Sequence, residues 1–162
     1  MAQTIHLDKD MAAIVDDEDF DRVSPHRWVA SEQKTGNGAF AVRTNIARKT
    51  VYLHQLLIGK APKGMVIDHI NGNPLDNQRA NLRLVTYQQN CMNRRVRRTN
   101  TTGFKGVTWH KKNGYWTASI KVNGKYQRKY GFPSPVAAAR WYDQHARLHY
   151  GEYASVNFPD GN

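Results

Sequence analysis

Hydrophobic and polar positions along the chain change rhythm twice. Up to about residue 50, short β-prone runs at 4–7, 12–15, 28–30, 40–43 and 51–53 are separated by polar turns, which predicts a β-rich region. Asp16, Asp17, Glu18 and Asp19 interrupt these runs and read as a solvated structural turn rather than a cation site, because nothing fixes a coordination geometry. Lys34, Thr35, Gly36, Asn37 and Gly38 mark a loop or hairpin turn.

The middle of the chain has a different order. Residues 54–58 form a short helical turn, 59–64 a loop around Pro62, and 65–69 a short buried strand. The turn formers of 71–77 then make a loop, and 82–85 can pair back on 65–67. Thr86 followed by Gln89 is a capping-box signature opening a helix that runs to about residue 97. Arg94, Arg95, Arg97 and Arg98 give that helix a basic end, and the polar stretch 99–103 reads as a linker.

Beyond the linker, strands are expected at 104–110, 115–122 and 125–130, joined at Asn113-Gly114 and Asn123-Gly124, which are strong hairpin signals. Ser134 as N-cap and Pro135 as first helical residue begin a helix that stops before Gly151. The expected fold class is α+β, in two modules. One spans 1–98, with its core at 51–98 and a β-rich extension at 1–50; the other, 104–162, is a three-stranded antiparallel sheet with one helix. In that sheet Trp116, Ala118, Ile120 and Val122 alternate as an apolar face for the helix. Trp109, Trp116 and Trp141 are assigned to its core.

Charge narrows the partner. The 162 residues carry 24 Lys and Arg against 13 Asp and Glu, a net charge of +11, which favours a polyanion because neutralised phosphates release counterions. The single cysteine, Cys91, excludes a disulfide framework and a multi-cysteine structural zinc site within this chain; it reads as a free thiol in a reducing compartment. No apolar run reaches the roughly 18 residues of a membrane span, and no signal-peptide pattern opens the chain, so an intracellular, cytoplasmic protein with no membrane partner is expected.

The candidate chemistry lies between residues 66 and 93. Hydrolysing a phosphodiester requires activating a water and neutralising charge that builds on the phosphate and the leaving oxygen. His69 suits the first task, since an imidazole accepts a proton near neutral pH. Asp68 offers an anionic oxygen and Asn90 a neutral carbonyl oxygen, a ligand set that favours Mg2+ or Mn2+ over zinc. Adjacent residues point to opposite faces of a strand, so Asp68 and His69 share a site only if the strand ends or bends there.

The residues Asp68-His69-Ile70-Asn71-Gly72-Asn73-Pro74-Leu75-Asp76-Asn77, then Asn81-Leu82-Arg83, then 86–90, resemble the HNH endonucleases with a ββα-metal fold. Asn90, where histidine is frequent, makes this a His-Asn-Asn variant similar to phage and intron-encoded enzymes, including homing types. The resemblance implies that His69 is the general base, that Asp68 and Asn90 hold one divalent metal, and that Asn81 braces the loop and helps orient the base. Asn71, Asn73 and Asn77 are read as turn formers outside the site. His54, in a stretch resembling the family's upstream helix, either approaches the scissile phosphate or is structural. Arg94, four residues after Asn90, either shares that helical face and contacts phosphate or is solvated. His6, His26, His145 and His149 have no assigned role.

From Gly103 to Pro159 the chain resembles the AP2 DNA-binding domain, through Gly106-Val107, 116–120, Gly131-Phe132, Ala137-Ala138-Ala139, Trp141-Tyr142-Asp143 and Asn157-Phe158-Pro159. The open face of its sheet is expected to carry Lys105, His110, Thr117, Ser119, Lys121, Gln127 and Lys129 toward double-stranded DNA. The leading expectation is a metal-dependent endonuclease, monomeric or homodimeric. A non-catalytic DNA-binding regulator on a degenerate HNH scaffold is the runner-up, and a basic RNA-binding or structural protein the third reading.

Overall fold

The computed structural model describes residues 1–8, 10–32, 40–94, 96 and 99–159. The loop expected at 34–38, together with Arg95, Arg97 and Arg98, lies outside the described residues. The chain divides into two compact units, Met1–Asn90 and Cys91–Asn162. Small antiparallel sheets with few helices make up both.

The first unit opens with a hairpin of β1 (Ala2–His6) and β2 (Ala12–Asp16). Ile5, Ala13 and Val15 face its core. The acidic cluster, read as a turn, instead opens helix α1 (Asp17–Val23): Asp17, Glu18 and Asp19 occupy the first turn, where the positive end of the helix dipole favours carboxylates. The next sheet orders β3 (Val29–Glu32), β4 (Phe40–Ile46) and β5 (Lys49–Tyr52). Trp28 is buried before β3 and donates its indole N–H to the Val23 carbonyl at 2.9 Å. Helix α2 (Leu53–Ile58) adds Leu53 and Leu57 to the same core.

Strands β6 (Met65–His69) and β7 (Leu82–Thr86) pair along their whole length, with Asp68 opposite Arg83 and His69 opposite Leu82. Helix α3 (Tyr87–Asn93) follows through the expected capping box: Gln89 Oε1 accepts from Thr86 N at 2.8 Å, and Thr86 Oγ1 accepts from Gln89 N at 3.3 Å. It stops at Asn93, short of the expected residue 97.

The loop between β6 and β7 is fastened to the N-terminal hairpin. Ile14 N donates to Leu75 O and Asn77 N donates to Ile14 O, both at 2.7 Å. Asp16 accepts from Arg79 N at 2.7 Å and Gln78 Nε2 at 3.2 Å. Asp19, only 3% exposed, takes a two-pronged bond from Arg79 Nε and Nη2 at 2.7 and 2.8 Å. The β-rich extension is therefore part of the scaffold that shapes this loop.

The second unit is a sheet ordered β10 (Lys125–Phe132), β9 (Tyr115–Val122) and β8 (Val107–His110), with α4 (Pro135–Tyr150) over one face. Both ends of α4 match the sequence expectation: Ser134 Oγ accepts from Ala137 N at 3.1 Å, Pro135 comes first, and Gly151 follows the last residue. Ala138, Ala139 and Ala146 are fully buried, and their small side chains let the helix lie close to Val107, Ala118 and Ile120. Gly106 has φ +75°, and a Cβ there would sit 2.1 Å from the Tyr142 ring and 2.8 Å from Ser119 O, so glycine is required. Asp143, 2% exposed, accepts from the backbone of Asn157 and Phe158 and tethers the C-terminal segment to the helix. Trp116 and Trp141 pack on this core, whereas Trp109 is 42% exposed. No described helix is long and apolar enough to cross a membrane.

Removing the carboxylate of Asp19 leaves the Arg79 guanidinium without its two-pronged partner. Asp19→Ala is expected to destabilise the first unit by about 1.5–3 kcal/mol, as for a hydrogen bond to a charged group, read as a lower urea midpoint at unchanged slope. A midpoint equal to the parent's would show that the latch contributes nothing.

Candidate functional site

Strand β6 ends at His69, where Gly72 N closes a turn on His69 O at 2.8 Å and Ile70 N bonds Asn81 O at 2.9 Å. The chain thus leaves the strand immediately after the Asp-His pair, the condition for the two side chains to serve one site. Asp68 is 6% exposed, and Arg83, opposite it in register, reaches its Oδ2 with Nε and Nη2, each at 3.1 Å.

Asn81 occupies the centre of the loop. Its Oδ1 accepts from Asn71 N at 2.9 Å, while Nδ2 reaches Asp76 O at 2.7 Å and Asn71 Oδ1 at 3.1 Å. Asn71 Oδ1 also accepts from Asn73 N at 2.8 Å, and Asn73 Oδ1 from Leu75 N at 3.2 Å, two Asx turns in succession.

Asn77 does more than form a turn. It is 1% exposed, and its Nδ2 donates to Pro74 O at 3.0 Å, which turns Oδ1 toward His69 Nε2 at 3.3 Å. An amide oxygen accepts only, so this contact is a hydrogen bond when Nε2 carries the ring proton, the neutral tautomer in which Nδ1 is the basic nitrogen. Composition gave no sign of this contact, because asparagine in a turn-rich loop looks the same whether or not a histidine folds against it.

A second histidine joins the first. The His54 and His69 rings meet edge to face, with centroids 5.6 Å apart at 86°, and Tyr52 stacks on His54 at 5.7 Å and 9°. Burial, helped by repulsion from His69 whenever that ring is protonated, pushes His54 down to about 4. Burial also lowers His69, against the raising influence of its bond to Asn77 and of Asp68 and Asp76. Both rings are neutral at pH 7, and a neutral imidazole is the form that accepts a proton.

Asn90 is the fourth residue of α3 and is half-buried. Arg94 is exposed and directly follows the last residue of α3. Among the described residues there is no group of three or more His, Cys, Asp or Glu that could hold a metal. Any ion here would rely on Asp68 and a neutral oxygen such as that of Asn90, with water and substrate completing its shell. An all-oxygen set of this kind fits a hard divalent cation.

In the second unit the register sorts the expected open face. Cross-strand partners share a face, and His110 pairs with Tyr115, Thr108 with Thr117, Arg128 with Ser119 and Tyr126 with Lys121. His110, Thr117, Ser119 and Lys121 therefore lie away from α4. Gln127 and Lys129 do not: they pair with Ile120 and Ala118 and so point to the helix side. The two-residue turn explains this. Asn123 and Gly124 have φ 49° and 80°, the geometry that sets Val122 directly opposite Lys125 and fixes the parity of every residue after it. Lys105 also lies elsewhere, before β8; its ammonium donates to Met92 O at 2.8 Å, near the Tyr142 ring, and burial lowers it to about 8.

In their place the open face gains Tyr126 and Arg128. The Arg128 guanidinium lies 4.9 Å from the Tyr126 ring centroid, and Lys121 Nζ lies 5.9 Å from it. His110 stacks on Tyr115 at 5.1 Å, and Tyr115 meets Tyr130 edge to face at 6.4 Å. A bulge between Lys129 and Phe132, with Gly131 at φ 79°, then turns Phe132 back toward Trp116 and the core.

A family model described as HNH endonuclease matches residues 52–92, which span α2, the β6–β7 hairpin and most of α3. The chain is 32% identical over 107 residues to Protein 3.8 of Escherichia phage T7, covering 66% of this chain and 88% of that protein. It is 31% identical over 138 residues to an uncharacterized HNH endonuclease of Acanthamoeba polyphaga mimivirus, covering 83% of this chain and 68% of that one. No solved structure matches. A hairpin ending in Asp68-His69, its loop braced by Asn81, the helix that follows, and the match over most of a viral relative's length lead to one assignment: the chain belongs to the HNH endonuclease family.

Proposed function

We propose that the protein is a metal-dependent DNA endonuclease in which His69 is the general base, Asp68 and Asn90 hold one divalent cation, and the second unit, which resembles an AP2 domain, binds the duplex. The observation that carries this reading is geometric: His69 lies beside Asp68 at the end of β6 with the Asn77 Oδ1 acceptor 3.3 Å from its Nε2, an arrangement that favours the tautomer with Nδ1 as the basic nitrogen. A bound Mg2+ or Mn2+ would supply charge neutralisation at the phosphate and the leaving 3′ oxygen. The remaining work falls to the chain.

His69 Nδ1 takes a proton from the attacking water. Asn77 holds the opposite edge of the ring and fixes its orientation, while Asn81 keeps the loop in the shape that brings Asn77 there. His54, neutral and backed by Tyr52, fills the space beside the base without adding a competing charge. Attack in line with the leaving oxygen yields 5′-phosphate and 3′-hydroxyl ends. In the second unit, Lys121 and Arg128 supply cations on an open face otherwise rich in tyrosine and small hydroxyls, a composition suited to duplex phosphates and groove edges. Tethering the two units raises the local concentration of the nuclease at bound DNA, so neither needs high affinity alone.

Supercoiled plasmid with Mg2+ or Mn2+ is expected to be nicked or linearised by the parent chain and left intact with chelator. His69→Ala should lower the rate about 10²–10⁴-fold, the range for loss of a general base, with DNA binding retained. Cleavage at the parental rate removes His69 from its role. Asn77→Ala should slow turnover about 10–100-fold, as orienting partners do, with KM little changed; a change confined to KM would make Asn77 a binding residue instead. Lys121→Ala combined with Arg128→Ala should reduce the slope of log K against log salt by about 1.8, two phosphate contacts at about 0.9 each, while Lys129→Ala leaves it unaltered. The reverse pattern would put the DNA face on the helix side.

A further inference from the structure

The sheet β3-β4-β5 carries a feature that the nuclease chemistry does not use. Its outer side bears a cleft of about 350 Å³ lined by Arg27, Val29, Arg43, Thr44 and Asn45. Val29, Arg43 and Tyr52 face one another across the three strands, and Thr50 Oγ1 donates to Asn45 Oδ1 at 3.3 Å on the same side. Thr44 points the other way: it is 7% exposed, and its hydroxyl donates to Arg27 O at 2.7 Å, pinning the Arg27 backbone against β4. Arg43 thus stands on the cleft side of β4, and Arg27, its backbone pinned by Thr44, lines the same opening. Among the described residues, neither is in an ion pair with a carboxylate.

Two arginines lining one cleft, with no ion-paired carboxylate among the described residues, concentrate positive charge that an anion would neutralise. An arginine fork with an adjoining amide matches the tetrahedral oxygens of a phosphodiester. The position is equally informative. Arg43 pairs with Tyr52, Tyr52 stacks on His54, and His54 meets His69, so the cleft connects to the proposed base through three successive neighbours in the first unit. The two ring contacts span 5.7 and 5.6 Å, and duplex DNA advances about 3.4 Å per nucleotide on one strand. A strand running from His69 toward the cleft would cover that separation in a few nucleotides.

We propose that Arg27, Arg43 and Asn45 form a phosphate-binding subsite that holds the DNA backbone a few nucleotides from the scissile bond. The inference rests on the endonuclease reading for its DNA ligand, but it concerns the β-rich extension, which that reading leaves without a contact to substrate. It gives the extension a second role beside bracing the loop.

The test is phosphate-ethylation interference, read by gel shift of the full-length, metal-free chain on duplex DNA, together with the salt dependence of binding. Arg27→Ala with Arg43→Ala should erase interference at one or two phosphates, leave the remaining positions in place, and reduce the salt slope by about 1.8. Arg27→Lys with Arg43→Lys should keep most of the slope, which separates lost charge from a disturbed fold. An interference pattern and slope identical to the parent's in the alanine variant overturn the subsite while leaving the nuclease reading intact. Failure of the parent chain to shift duplex DNA overturns the DNA reading itself, and this subsite with it.

Discussion

An imidazole is useful as a base only when the nitrogen bearing its lone pair faces the water it must deprotonate. In solution the neutral ring exchanges its proton between two nitrogens; in this protein a buried amide oxygen faces Nε2 of His69 and favours the proton there. Asn77 is held from three directions: its Nδ2 by Pro74 O, its backbone N–H by Ile14 O, and its loop by Asn81. What remains is one carbonyl oxygen aimed at His69 Nε2. The N-terminal hairpin, the acidic helix that grips Arg79, and the Asx turns of the loop all converge on keeping that oxygen in place.

The same dependence explains how the first unit, which contains no cysteine, holds together without a cysteine-ligated brace. Backbone pairing between β2 and the β6–β7 loop and the Asp19–Arg79 contact fasten chain segments about 60 residues apart, as in the separation of 60 between those two residues. The second unit follows a different economy. Alanines at 138, 139 and 146 bring one helix close to a sheet, and the face they leave open carries its cations beside aromatic rings.

Much of this was legible in the sequence, for physical reasons. Turn chemistry and capping act locally, so the β6–β7 hairpin, the Thr86–Gln89 box and the Ser134-Pro135 helix start could be read from a few residues each. The acidic run at 16–19 was misread because carboxylates that look solvated in sequence are also the residues a helix N-terminus prefers. Gln127 and Lys129 were placed on the wrong face although the signal was present: a two-residue Asn-Gly turn fixes parity across the hairpin, so Val122 facing the helix commits 125, 127 and 129 to that side. Asn77 is different in kind. Its importance comes from contacts with His69 and Ile14, the latter more than 60 residues away, and no local pattern encodes them.

The account turns on which nitrogen of residue 69 carries the proton. Two-bond 1H–15N correlation of the metal-free protein at pH 7 reads this directly from the ring nitrogens. A neutral His69 with its proton on Nε2 is the predicted result. A ring protonated on Nδ1, or one already cationic at that pH, would contradict the proposed base and the purpose given to the loop around it.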